Sequence, residues 1–484
     1  MNQDSTTRIE PYVWKVVGVV ILGMIMSILD TTIVNVALDT LAKDLHSTIS
    51  DIQWVATGYL LSLAAVIPLT GWAARKFGAK NVYIWSIVLF TIGSALCGIA
   101  DSSTSLIAFR VLQGIGGGMI MPIAQMIMAE VAGPKRMGKV MSITVMPAML
   151  APILGPVVGG LILQNFHWSW IFFVNVPVGV IAVILAMKML PHSKLGEAGK
   201  LDVTGLVLMV LGIPALVFGI SEVGTTGTFN APEVIWPAVA GLALICAFVW
   251  HAMRADRPLL DVKLYSNRIF SAASLTTFAL GAALFGAMIL MPLYYQQVRG
   301  ESVIATGLLL GPQGIGMVLV GPFAPRLTER FGGGKVATVG VLILCLSSLP
   351  YVFIGVDTSI AFLSLMLLIR GAGIGLAFMP TMTVAYASLK KEQLSDATPQ
   401  MNVIQRVGGA IGTAVLAVVL QRAGEGATSM TQAADAFGTA YLWALGIGLL
   451  ALIPCVVLWR AEKPEEPNTE EMKIAEAEIE PLGT

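Results

Sequence analysis

The chain has 484 residues, 56% of them hydrophobic and only 12% charged, and its 29 basic and 29 acidic side chains cancel. Soluble domains carry about 25% charged residues, so this composition, with a mean hydropathy of +0.81, excludes an ordinary water-soluble enzyme and offers no basic surface for nucleic acid. Four cysteines and four histidines are scattered singly, which leaves no disulfide framework, no metal set and no expected cofactor.

Apolar runs are predicted to span a membrane at 16–38, 52–72, 81–101, 104–130, 140–164, 170–190, 202–221, 233–253, 268–294, 304–326, 335–355, 358–383, 398–423 and 438–460. Each approaches the roughly 20 residues that a helix needs to cross a bilayer. The first run is too long for the apolar core of a signal peptide, and no cleavage site follows it. Residues 1–14 and the acidic tail 461–484 lack apolar periodicity and are expected to lie in the cytoplasm.

Orientation follows from the basic residues. With the N-terminus inside, 23 of the 29 Lys and Arg fall on the inner side, three (Lys43, Arg299, Arg422) fall outside and three (Arg110, Arg370, Arg406) lie within spans. The positive-inside rule then puts both termini in the cytoplasm. The alternation also checks the span count, because gaining or losing one span mid-chain would scramble it.

The chain repeats itself. Arg75-Lys76-Phe77-Gly78-Ala79-Lys80 follows the second span, and Arg330-Phe331-Gly332-Gly333-Gly334-Lys335 follows the tenth. Arg110 precedes Gly114-Ile115-Gly116 in the fourth span, and Arg370 precedes Gly373-Ile374-Gly375 in the twelfth. These matches predict an N-terminal six-helix half (15–190), two inserted helices with cytoplasmic linkers (191–267) and a C-terminal six-helix half (268–460). Paired halves around a midplane site are a common plan for secondary transporters.

Several motifs occur in order: Leu29-Asp30-Thr31-Thr32-Ile33-Val34-Asn35, Gln53-Trp54-Val55-Ala56-Thr57-Gly58-Tyr59, Gly71 to Lys80, Arg110-Val111-Leu112-Gln113-Gly114, Pro152 to Gly160, and Trp168 to Gly179. Together they resemble the major facilitator superfamily in its fourteen-span drug:proton antiporter branch, the EmrB/QacA type, over about residues 15 to 460. The fold the resemblance implies is all-α: two six-helix halves plus two inserted helices, fourteen transmembrane helices in all. The function it implies is multidrug efflux of amphipathic or cationic small molecules in exchange for protons, an activity linked to antibiotic resistance. A narrow exporter of one metabolite and a non-transporting receptor or scaffold remain as alternatives, and the need for a periplasmic adaptor is not readable here.

Asp30 is the first candidate site residue. Burial within a span favours the neutral form of a carboxylate, which suits proton exchange, although a purely structural tie between helices is the competing reading. Arg110 lies at matching depth, about 9 Å from the outer edge on an oppositely directed span, so a contact, direct or through Gln113, is allowed. The family assigns such an arginine to proton transfer; a buried cation on backbone carbonyls is the alternative.

The fifth-span set Pro152, Gly155, Pro156, Gly159 and Gly160 predicts close, bendable helix packing. Its link to antiport comes only from the resemblance. The gating-loop candidates Gly71, Arg75, Lys76, Gly78 and Lys80 follow the family's Gly-x-Leu-Ala-Asp-Arg-x-Gly-Arg-Lys pattern with two departures: Arg75 replaces the acid and Ala79 replaces an Arg. Glu329 keeps an acid at the matching place in the second half, while Ser169 stands where relatives carry Arg. The missing acid places the usual gate latch of the first half in question.

Asn35, Tyr59, Gln125, Asn175, Gln313, Arg370 and Arg406 are candidate cavity-lining residues, with interhelical hydrogen bonding as the plainer reading. The 24 methionines suit a pliable apolar pocket or simple packing. Gly133 to Val140 imitates a phosphate-binding loop but lacks the Ser/Thr for magnesium and follows no strand. The expected partners are therefore small-molecule substrates, protons and the lipid bilayer.

Overall fold

The computed structural model describes residues 10–132, 140, 154, 155, 157–191, 199–390 and 393–462. Helices follow the apolar runs because a backbone without water must satisfy its hydrogen bonds internally. The first group comprises α1 (Pro11–Asp44), α2 (Ile49–Val66), α3 (Leu69–Phe77), α4 (Ala79–Gly98), α5 (Ser103–Ala132) and α6 (Trp170–Met189). A pair follows, α7 (Val203–Ser221) and α8 (Pro232–Arg254). The last group comprises α9 (Arg268–Val298), α10 (Val303–Val320), α11 (Ala324–Phe331), α12 (Gly333–Ser348), α13 (Ile360–Ala387), α14 (Leu394–Gly424) and α15 (Met430–Ala461).

Among the described residues, 11 helices are long and apolar enough to cross a membrane, and 13 if each bent pair is one span. Every run expected from the sequence has its helix except 140–164, much of which lies outside the described residues, as do Pro152 and Pro156; within it, residues 157–165 are helical. The second and tenth runs differ from expectation. They bend by 57° and 50° and continue as helix to Phe77 and Phe331. Pro68 and Pro322 stand at the breaks, where a missing N–H and a ring clash interrupt the helical ladder.

The repeat is visible in the packing. The contacts of α4 with α5, α2 with α5, α4 with α6, and α1 with α5 and α6 recur as α12 with α13, α10 with α13, α12 with α15, and α9 with α13 and α15. Both bent spans end at a glycine in the left-handed region, Gly78 at φ 84° and Gly332 at φ 86°, a conformation that side chains resist. α7 and α8 pack on each other, and α7 touches both α2 and α14. Their outer faces carry exposed apolar side chains, such as Leu211 and the 73% exposed Trp236, as a lipid-facing surface does.

Glycines set the helix spacing. A Cβ on Gly116 would lie 2.6 Å from the Phe90 nitrogen and 2.7 Å from the Ser86 oxygen, so α4 and α5 touch backbone to backbone. Gly116→Ala should therefore cost about 1–3 kcal/mol, whereas Gly446→Ala, with nothing within 4 Å, should be neutral or slightly stabilising. Thermal unfolding of the two purified variants checks this; equal midpoints would show that spacing at residue 116 is not limiting.

Candidate functional site

Asp30 sits two-thirds of the way along α1 and is fully buried. Its Oδ2 accepts from Arg110 Nη1 at 2.5 Å, and its Oδ1 accepts from Gln113 Nε2 and Asn175 Nδ2, both at 2.9 Å. Arg110 and Gln113 stand three residues apart on α5 and so share one face. They are joined directly, Nη1 donating to the Gln113 carbonyl oxygen at 2.8 Å. Arg110, 1% exposed, also donates from Nε to the Val55 carbonyl at 3.1 Å and lies 4.0 Å over the Tyr59 ring.

Glycine explains how α5 comes so close to α2 and α4. Gly93 of α4 lets the Gln113 backbone approach to 2.7 Å of where a Cβ would stand, and Gly114 does the same for the Tyr59 carbonyl of α2 at 2.6 Å. Outside the chain segment just described, Gly155 meets Thr32 and Gly159 meets Ile33 on the turn of α1 after Asp30. Gly160 faces Ile304 of α10. The glycines of the fifth run thus brace the segment that carries the carboxylate.

Asn175, a cavity candidate with interhelical hydrogen bonding as its plainer reading, is a buried ligand of the carboxylate and also donates to Ser94 Oγ at 3.0 Å. Ser94 and Cys97, whose sulfur contacts the Gln113 oxygen at 3.6 Å, complete the cluster. Sequence reading missed both, because a serine and a cysteine within an apolar run give no signal of their own. The contact that matching depth allowed between Asp30 and Arg110 is made both directly and through Gln113. Every hydrogen bond to the Asp30 carboxylate comes from a donor on another helix. The pair is stabilised by geometry: breaking it leaves a buried charge alone, at a cost of about 3–5 kcal/mol.

A second cluster joins the two groups at the end where the basic loops lie. Arg75 Nη1 donates to Ser395 Oγ at 2.8 Å and to Asp396 Oδ1 at 2.7 Å on α14. Gly71, one turn earlier, lets α3 press against the Ser395 carbonyl. Where the family pattern carries an acid, Arg75 thus places a cation that pairs with an acid of the last group. Asp396 was not legible, since acids contribute little to a count of inside charges. Glu329 is exposed; Glu462 instead caps α12, accepting from Gly333 N at 2.9 Å and Gly334 N at 2.7 Å. Lys80 donates to the Met187 and Leu190 carbonyls at the end of α6, and Lys76 is exposed.

The inserted pair is tied to the same place. Trp72 Nε1 donates to the Gly199 carbonyl at 3.2 Å, and Gln400 Nε2 donates to the Asp261 carbonyl at 3.1 Å. Together with Arg75 and Asp396, these linkers line a cavity of about 300 Å³. Asp202 caps α7; burial opposes its ionisation, but hydrogen bonds from Gly205 N, His251 and Leu259 N outweigh that and hold its carboxyl below the usual range.

Of the other candidates, Gln125 accepts from Asn402 across the group interface at 2.9 Å, and Arg406 is part-buried one turn farther along α14. Asn35 is exposed on α1, and Gln313 pairs with Arg370 inside the last group.

Two outcomes are expected. The Asp30→Asn/Arg110→Gln double variant should unfold at a higher temperature than the summed single losses allow, with a coupling of at least about 1 kcal/mol; additive losses would mean that the two residues act separately. Arg75→Asp and Asp396→Arg should each shift the balance of open and closed forms about fivefold, the equivalent of 1 kcal/mol, and the charge-swapped double variant should recover it. Crosslinking between α3 and α14 reads this directly.

Comparison with known proteins agrees with the geometry. The Major Facilitator Superfamily profile matches residues 20–413. The multidrug resistance protein B homolog of Mycobacterium tuberculosis (strain ATCC 25618 / H37Rv) is 38% identical over 417 residues, covering 85% of this chain and 77% of that one. The multidrug export protein EmrB of Escherichia coli (strain K12) is 32% identical over 398 residues, 81% of this chain and 77% of its own. Two solved structures share the fold. The human organic anion transporter MFSD10 has a TM-score of 0.65 at 17% identity, over 92% of this chain and 100% of that one. The proton:xylose symporter XylE has a TM-score of 0.64 at 14% identity, over 93% and 95%. The chain therefore belongs to the major facilitator superfamily and is a multi-pass membrane transporter, not an enzyme, related to the EmrB-type multidrug exporters.

Proposed function

We propose that the chain is a fourteen-span, proton-coupled exporter of amphipathic small molecules. Residues 15–190 and 268–460 would form two halves that rock about a central cavity, with 191–267 inserted between them and both termini in the cytoplasm. The observation that carries this reading is the buried Asp30–Arg110 pair with its two amide ligands. It is the one place among the described residues where a buried carboxylate occurs, and a transporter driven by protons needs such a group.

In the proposed cycle, a proton from outside binds Asp30 and releases Arg110, Gln113 and Asn175. The freed donors and the repacking of α1 against α5 shift the halves toward the inward-open form. There the proton leaves, the pair re-forms, and cargo is taken up. Arg75 with Asp396 would hold the cytoplasmic end closed in the other form. The names of the relatives support a drug-like cargo.

One observation favours a second reading of the cargo's charge. Arg406 faces the first group within electrostatic reach of Tyr59 and has no ion pair among the described residues. A cation at the interface disfavours permanently cationic cargo and favours molecules with an acceptor or a negative charge.

Asp30→Asn should abolish substrate-induced proton release and pH-driven efflux in proteoliposomes, with Asp30→Asn/Arg110→Gln run beside it to separate coupling from folding. Efflux at the wild-type rate from either variant would remove Asp30 from the mechanism. A panel of cationic, neutral and anionic dyes in the same vesicles decides the cargo's charge.

A further inference from the structure

Four charged side chains are buried among the described residues: Asp30, Lys80, Arg110 and Arg370. Asp30 neutralises Arg110, and Lys80 rests on two helix-terminal carbonyls. Arg370 is different. It is 2% exposed and its one hydrogen bond runs from Nη1 to Gln313 Oε1 at 3.3 Å. Among the described residues no carboxylate lies within ion-pair distance of it, and its Nε has no hydrogen-bond partner.

The surroundings are rich in donors. The Tyr441 hydroxyl of α15 lies within electrostatic reach of Arg370 and of Tyr295, and both tyrosine hydroxyls are buried without a partner. Tyr351 stacks on Tyr441 at 4.9 Å but spends its own hydroxyl on the Leu363 carbonyl. α15 packs against α9, α12 and α14, so this cluster belongs to the interior of the last six-helix group and not to the interface between groups.

An uncompensated guanidinium in a dry interior is costly, and orphaned donors around it add to that cost. Arg110 and Arg370 hold repeat-related places on α5 and α13, yet the carboxylate that serves the first has no counterpart beside the second. We propose that the last six helices hold a small resident anion of chloride size, bound by Arg370 Nε with the hydroxyls of Tyr441 and Tyr295. It would supply the negative charge that Asp30 provides to Arg110. One N–H and two O–H donors left without partners suit an anion, and the stacked tyrosines favour a small one.

The test uses the purified full-length protein, unfolded thermally in sodium chloride, sodium bromide and sodium gluconate at equal ionic strength. Chloride and bromide should raise the midpoint over gluconate by about 3 °C or more, saturably. Arg370→Met should lose the halide dependence. Should that variant fold poorly, Tyr441→Phe, which removes only an orphaned hydroxyl, should raise the half-saturating halide concentration about tenfold. Equal wild-type midpoints in the three salts would overturn the proposal, as would an unaltered halide response in either variant. Stabilisation in gluconate by a transported carboxylate alone, lost in Arg370→Met, would give the site to cargo and end the resident-ion reading.

Discussion

A guanidinium and a carboxylate shut away from water are tolerated only in contact and with their remaining hydrogen-bonding groups occupied. Much of the first six-helix group is arranged around meeting that condition for Asp30 and Arg110. α5 supplies the cation and an amide three residues on, α6 supplies a second amide, and α2 supplies a carbonyl and an aromatic face. No single helix could satisfy both partners, so the pair forces four helices to hold a common register. In the proposed cycle, protonation of a pair assembled from several helices would loosen all of them together.

The glycines are the other half of that arrangement. In a membrane, helices gain little from burying apolar surface against each other, so close van der Waals approach matters more. Gly93, Gly114 and Gly116 remove the atoms that would keep α2 and α4 from α5, and the polar side chains of α5 then reach across. In the last group the same device, at Gly371, sets the Gln313 backbone against α13 and brings its side chain to Arg370. The architecture is repeated while the charges it encloses are not.

Between the groups a shared apolar cluster is accompanied by polar bonds that cross the seam. Arg75 with Asp396 and Gln125 with Asn402 are bonds that can be exchanged for water when the interface parts. α7 and α8 are fastened on both sides of this seam, through Trp72 and Gln400. In the proposed cycle they would have to follow the movement of both groups.

The apolar runs determined the class of fold and most of the spans, because hydrocarbon thickness and backbone hydrogen bonding leave a chain this apolar few options, and the paired Arg and Gly motifs revealed the repeat. The runs also singled out Asp30, Arg110 and Gln113, since polar groups at that depth are costly and stand out. The bends at Pro68 and Pro322 were less legible, as a proline near a span end reads equally as a stop. What only the tertiary structure decided is which polar groups meet. Asn175 proved to be a carboxylate ligand, Asp396 the partner of Arg75, and Arg370 a cation with no acid beside it among the described residues. Pattern along a chain records depth in the membrane and the face of a helix, whereas pairing depends on how helices distant in sequence are rotated against each other.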